Sequence, residues 1–105
     1  KNKKRKEIFM YGSIFSMKPK EGKKEALIDL FRGSSSNNDD GMLAWFVMNP
    51  DDDGDLVGIA IFKDEESYKA NAEKEETHQN FLEMMELLAE EPSWNDGSFV
   101  IGEII

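Results

Sequence analysis

The stretch IFMYGSIFSM (8–17) is uncharged and rich in β-forming residues, which predicts a strand. Phe9, Tyr11, Ser13, Phe15 and Met17 fall on one face. Ile8, Met10, Gly12, Ile14 and Ser16 fall on the other. Both faces are largely apolar, so both are expected to be covered. In KPKEGKKEALIDLFRG, Pro19 and Gly22 punctuate the entry to a helix. Lys23, Ala26, Leu27, Leu30 and Phe31 then recur at helical spacing, and Gly33 suits a C-terminal cap. GSSSNNDDG (33–41) has the composition of a flexible loop. MLAWFVMN (42–49) and LVGIAIF (56–62) are two further strands, paired as a hairpin across the acidic turn PDDDGD. Asp64 can cap a short helix, DEESYKANAE, with Glu65 and Glu66 at the positive end of its dipole. Thr77 is expected to cap a longer helix reaching about Glu90, with Phe81, Met84, Met85 and Leu88 as its apolar stripe and Pro92 as its stop. SWNDG reads as a turn, and SFVIGEII (98–105) as the last strand.

The order is β-α-β-β-α-β with the second helix broken in two. This is the α+β ferredoxin-like arrangement, a four-stranded antiparallel sheet with helices on one face. Helices cover one face only, yet the strands are apolar on both. A ligand or a second subunit must cover the other face, and a homodimer packed sheet against sheet is the simplest answer.

Length and charge narrow the classes. One hundred and five residues make one domain. The chain lacks cysteine, so it has no disulfide, thiolate metal site or cysteine nucleophile, and it fits a reducing cytoplasm. No apolar run has the length of a membrane span. Residues 1–24 hold nine Lys/Arg against two Glu, and residues 25–105 hold four against twenty Asp/Glu, which sums to the net −9. An acidic body argues against nucleic acid and anionic membrane as partners. The KNKKRK start reads as a solvated tail, and its junction with IFMYGSIFSM lacks the unbroken apolar core and cleavage site of a secretory signal.

Candidate chemistry is sparse. NPDDDGD imitates half of a calcium loop, but Ala60 stands where a bidentate Glu is needed, so it reads as a turn. A single histidine supports neither a zinc site nor a Ser-His-acid triad, and no metal is expected. The methionines read as core, and Trp45 as core or interface. Trp94, after the helix stop, can wall a cleft. His78, next to the expected cap Thr77, sits at a helix start. There the dipole favours a neutral imidazole, while Glu73, Glu75 and Glu76 favour the charged one. It reads as a helix-start residue first and a candidate base second.

Two segments resemble the antibiotic biosynthesis monooxygenase (ABM) family of dimeric α/β-barrel proteins. One is MYGSIFSMKPKEGKKEAL. The other is VGIAIFKDEESYKANAEKEETHQNFLEMMELLAEEPSWNDG. One branch of the family has a strand, then Ser/Ala-Tyr-x-Ala-Asn, a His in the next helix, and Pro-x-Trp-x-Asp-Gly. Here these are Ser67, Tyr68, Ala70 and Asn71, then His78, then Pro92, Trp94, Asp96 and Gly97. The resemblance covers roughly residues 10–100. It implies a single domain over 10–105 and a basic extension over 1–9. It also implies a homodimer and cofactor-independent oxidation of a small aromatic or quinol-like substrate that itself supplies the electrons to oxygen. Under that implication His78, Asn71 and Asp96 are the candidate catalytic residues, and Trp94, Tyr11 and Tyr68 the candidate substrate-binding ones. Haem degradation is not implied: the first strand lacks the family's Asn, Asn71 stands where its Trp would be, and Phe81 falls near its His. The other function class is a non-catalytic module that holds an apolar ligand in the same pocket.

Overall fold

A computed structural model describes residues 10–34 and 41–105. The elements are β1 (Met10–Met17), α1 (Lys24–Arg32), β2 (Met42–Met48), β3 (Leu56–Phe62), α2 (Glu65–Ala72), α3 (Glu75–Met85) and β4 (Ser93–Phe99). Every strand pairing is antiparallel, and the sheet order is β2-β3-β1-β4. The fold is the ferredoxin-like α+β sheet that the pattern predicted. Residues 8 and 9 of the expected first strand, the basic extension and most of the serine-rich loop lie outside the described residues.

The pleat sorts the strands into two faces. Residues directly opposite across a pairing share a face. One row across the sheet is therefore Val47, Gly58, Phe15 and Trp94, and the next is Trp45, Ala60, Ser13 and Asp96. This face meets the helices. Met17 and Leu56 from the sheet, Leu27 from α1, Met84 from α3 and Leu88 beyond it form the buried core, with Phe15, Phe31 and Phe81 packed against it. The expected apolar stripe of the long helix is thus the stripe that packs. On the opposite face Ile14, Phe46 and Met48 are exposed, and Val57, Ile59 and Ile61 are half-buried.

Asp64 caps α2 as its position suggested: its carboxylate accepts from the Ser67 N–H at 2.8 Å, and the Ser67 hydroxyl first, then this N–H, hold the carboxyl below the usual carboxylate range. Three boundaries differ from expectation. The long helix starts at Glu75, not beyond Thr77. Lys74 is extended at its N-cap, and Thr77 Oγ1 reaches back to Asn71 Oδ1 at 3.4 Å instead of capping. His78 is therefore the fourth helical residue, its N–H bonded to Lys74 O, and not the first. The helix also ends at Met85, seven residues short of Pro92. There the backbone leaves to pair with the segment after β1: Lys20 N–H donates to Leu87 O and Ala89 N–H to Lys18 O, both at 2.8 Å. Tertiary backbone pairing replaces the last helical turn.

The third correction is the final strand. SWNDG is not a turn but the body of β4, and residues 100–105 carry no strand. Asn, Asp and Gly disfavour strands intrinsically, but the open edge of β1 supplies partners all along, from Ser93 opposite Ser16 to Phe99 opposite Met10. Val100, Ile101, Ile104 and Ile105 are left exposed. Among the described residues, no helix is long and apolar enough to cross a membrane.

Candidate functional site

A cavity of about 270 Å³ lies between the helix-facing side of the sheet and helices α1 and α3. Its floor is small where β3 runs beneath it, at Ala60, and the Phe15 ring lies over the neighbouring Gly58. Large rings stand on either side. Trp45 on β2 packs near Phe31 of α1 with centroids 6.3 Å apart. Phe15 on β1 packs on Trp94 of β4 at 4.7 Å. Phe81 and Met84 of α3 close the top, and Thr77, Asn80 and Glu83 from the same helix bring polar groups to the lining. Both tryptophans of the chain thus face one cavity. An apolar cavity of ~150 Å³ can hold a benzene, so this one accommodates a larger ring system. A second depression, about 560 Å³, runs along α1 and β2. Charged Glu25 and Arg32 line it, and α3 contributes nothing to it, so it is the more polar of the two.

The candidate residues from the sequence separate into three places. Trp94 lines the cavity, on a strand rather than on the expected turn. Tyr11, Tyr68 and Asp96 come together beside it, one to two rows along the same face. Tyr68 O–H donates to Asp96 Oδ1 at 3.0 Å, and its ring packs against Tyr11 and edge-on to Phe62, each with centroids 5.4 Å apart. Burial, then the hydrogen bond to Asp96 and its charge, push the Tyr68 phenol up to about 12, with Ser13 pulling slightly the other way. Tyr68 is therefore a neutral donor at physiological pH. Ser13 Oγ beneath it is buried without a hydrogen bond of good geometry among the described residues. Asn71 is the third place. It sits at the joint of α2 and α3, bonded to Thr77, whose side chain lines the cavity.

His78 joins none of these groups. It is exposed on α3 and is not part of the cavity lining, although its neighbour Thr77 is. Thr77, Asn80, Phe81 and Met84 share the cavity side of α3, and His78, one residue on from Thr77, lies about 100° further round the helix. The sequence reading missed Phe15, Phe31, Trp45, Phe81 and Asn80 as cavity residues. Their pattern marks them as core-facing, and a core-facing ring and a cavity-lining ring look identical in a sequence. Asn80, polar and one turn from Glu76 on the helix, carried the one usable hint. Among the described residues, no three His, Asp or Glu side chains group closely enough to hold a metal ion.

Comparison with known proteins bears on this geometry. The family model for antibiotic biosynthesis monooxygenase matches residues 10–84. No curated protein sequence matches the chain. Among solved structures, a Nitrosomonas europaea protein of unknown function superimposes with a TM-score of 0.79 at 17% identity, covering 95% of this chain and 98% of that one. A candidate antibiotic biosynthesis monooxygenase of Chloroflexus aurantiacus J-10-fl gives 0.70 at 24% identity, covering 90% and 96%. SnoaB, a cofactor-independent oxygenase from Streptomyces nogalater, gives 0.56 at 12% identity, covering 95% and 98%. At these identities the structures share a fold with this chain. The family match spans 75 of the 105 residues (10 through 84), from the first strand into the long helix, and on that ground the chain belongs to the antibiotic biosynthesis monooxygenase family.

Proposed function

We propose that the protein is a cofactor-independent monooxygenase acting on a small aromatic or quinol-like substrate held between Trp45 and Trp94. The observation that carries this reading is the cavity: both tryptophans and four phenylalanines line it, with polar groups from α3 and from Ser34 after α1. A flat, apolar substrate is sandwiched there with one polar edge toward Thr77 and Asn80. The chemistry needs no bound group. For an anthrol-type phenol, whose keto form carries a methylene between two rings, that methylene becomes a carbonyl, one oxygen atom of O₂ stays on the carbon, and the other leaves as water. All four electrons come from the substrate once its acidic proton has been removed. Exclusion of water by the rings protects the carbanion-like intermediate. Asn71 acts through Thr77, and Asp96 acts through Tyr68. His78 is the candidate base whose part in the reaction a mutation decides.

The reading includes a second copy of the chain. Ile14, Phe46 and Met48 present an uncovered apolar sheet face, and a homodimer packed through it removes that surface from water.

Oxygen uptake by the purified protein, with hydroquinones and anthrol-type phenols and no added cofactor, tests the proposal. Wild type, Trp94→Ala and His78→Ala are compared. Uptake that rises with protein and collapses in Trp94→Ala supports it. Uptake that survives His78→Ala keeps the enzyme and removes His78 as base. No uptake across the panel, with tryptophan emission still quenched by the same compounds, overturns the enzyme in favour of a binding module.

A further inference from the structure

Resting on the reading of the cavity as a ligand site, we infer that Gly58 sets which ligands fit, by letting the Phe15 ring lie down on the sheet. Gly58 and Phe15 are directly paired across β1 and β3, and both face the helices. A Cβ placed on Gly58 would lie 2.5 Å from Phe15 Cε2 and closer still to Cζ. Real packing does not tolerate such contacts, so any side chain at position 58 must displace the ring. The ring cannot move toward β4, because Trp94 is stacked against it at 4.7 Å. The sheet backbone lies below. The free direction is upward, into the cavity that Phe15 lines. Gly58 is thus a positioning residue. The space its missing side chain leaves is filled by the Phe15 ring, and Phe15 transmits its effect to the cavity.

The pairing predicts a size-dependent and reversible phenotype. Binding of phenol and of 2-naphthol is followed by quenching of the two tryptophans, which both line the cavity. Gly58→Ala is expected to weaken 2-naphthol binding by roughly ten- to a hundredfold, the scale of one misplaced methylene-sized group in an apolar pocket, and phenol binding far less. Phe15→Leu in the Gly58→Ala background removes the Cε and Cζ atoms that would collide, and is expected to restore 2-naphthol to near the wild-type affinity. Phe15→Leu alone, with Gly58 intact, is expected to admit 9-phenanthrol better than wild type, and this variant keeps the test alive if Gly58→Ala fails to fold. Equal weakening of both probes by Gly58→Ala, or no recovery in the double variant, overturns the role of Gly58 and leaves the cavity reading standing. A folded wild type that binds none of the three probes overturns both.

Discussion

The two faces of the sheet are built from the same four strands, and alternate residues supply each. On the helix-facing side Met17, Leu27, Leu56 and Phe62 are at most 1% exposed. On the other side Ile14, Phe46 and Met48 remain 42–60% exposed. Hydrophobicity does not separate the faces; what covers them does. The covered face also holds the cavity, because the helices and the sheet leave a gap where β3 offers only the small side chain of Ala60. The lesson is that apolar alternation reports a demand for cover, while the geometry of the covering elements decides whether the result is a solid core, a ligand site or an interface.

Three changes sharpen this contrast. The largest effect is expected on the covered face. Leu27→Ala, at the centre of the core, should cost about 2–5 kcal/mol of unfolding free energy by urea denaturation. Ile14→Ser should cost much less in a protein diluted until monomeric. If it costs as much as Leu27→Ala at high concentration only, the open face is covered by association. Next, Ile14→Glu combined with Met48→Glu should leave the circular dichroism spectrum intact. It should convert a dimer to a monomer by light scattering. A wild type that is monomeric at high concentration breaks the proposed pairing.

The smallest effect concerns the polar patch beside the cavity. The folded state holds the Tyr68 proton until about pH 12, whereas an unfolded tyrosine releases it near 10. Between these values the folded chain binds more protons than the unfolded one. Stability is therefore intact below about pH 10 and falls as pH rises toward 12. Tyr68→Phe should flatten that fall in thermal melts. In a Tyr11→Phe background the remaining phenolate absorbance should titrate late, and Asp96→Asn should bring it down part of the way, leaving the share due to burial.

Much of this was legible in the chain. β3 appears at its expected bounds, α2 is capped by Asp64, and the expected break between α2 and α3 exists, at Glu73 and Lys74. Those features rest on local chemistry: alternation, a capping carboxylate, a change of period. The site was read less well. Trp94 and Asp96 do lie on one face, with Tyr68 bonded to Asp96, but the sequence joined them to His78, which lies on the exterior of α3. The aromatic wall of Phe15, Phe31 and Trp45 was read as core, since a ring facing a void and a ring facing another ring have the same periodicity.

The sequence by itself determined the α+β class, the number and order of elements and the need for cover on both faces, because these follow from near-neighbour periodicity and from the count of apolar positions. Only the tertiary structure decided where the long helix begins and ends, that SWNDG is an edge strand, and that the Phe15 ring lies over Gly58 at the wall of a cavity. Each of those depends on a partner outside its own element: Asn71 for Thr77, Lys18 and Lys20 for Ala89 and Leu87, β1 for β4, and Phe15 for Gly58. Backbone groups take the hydrogen bonds that the assembled fold offers, and a local preference of a few tenths of a kcal/mol per residue gives way to them.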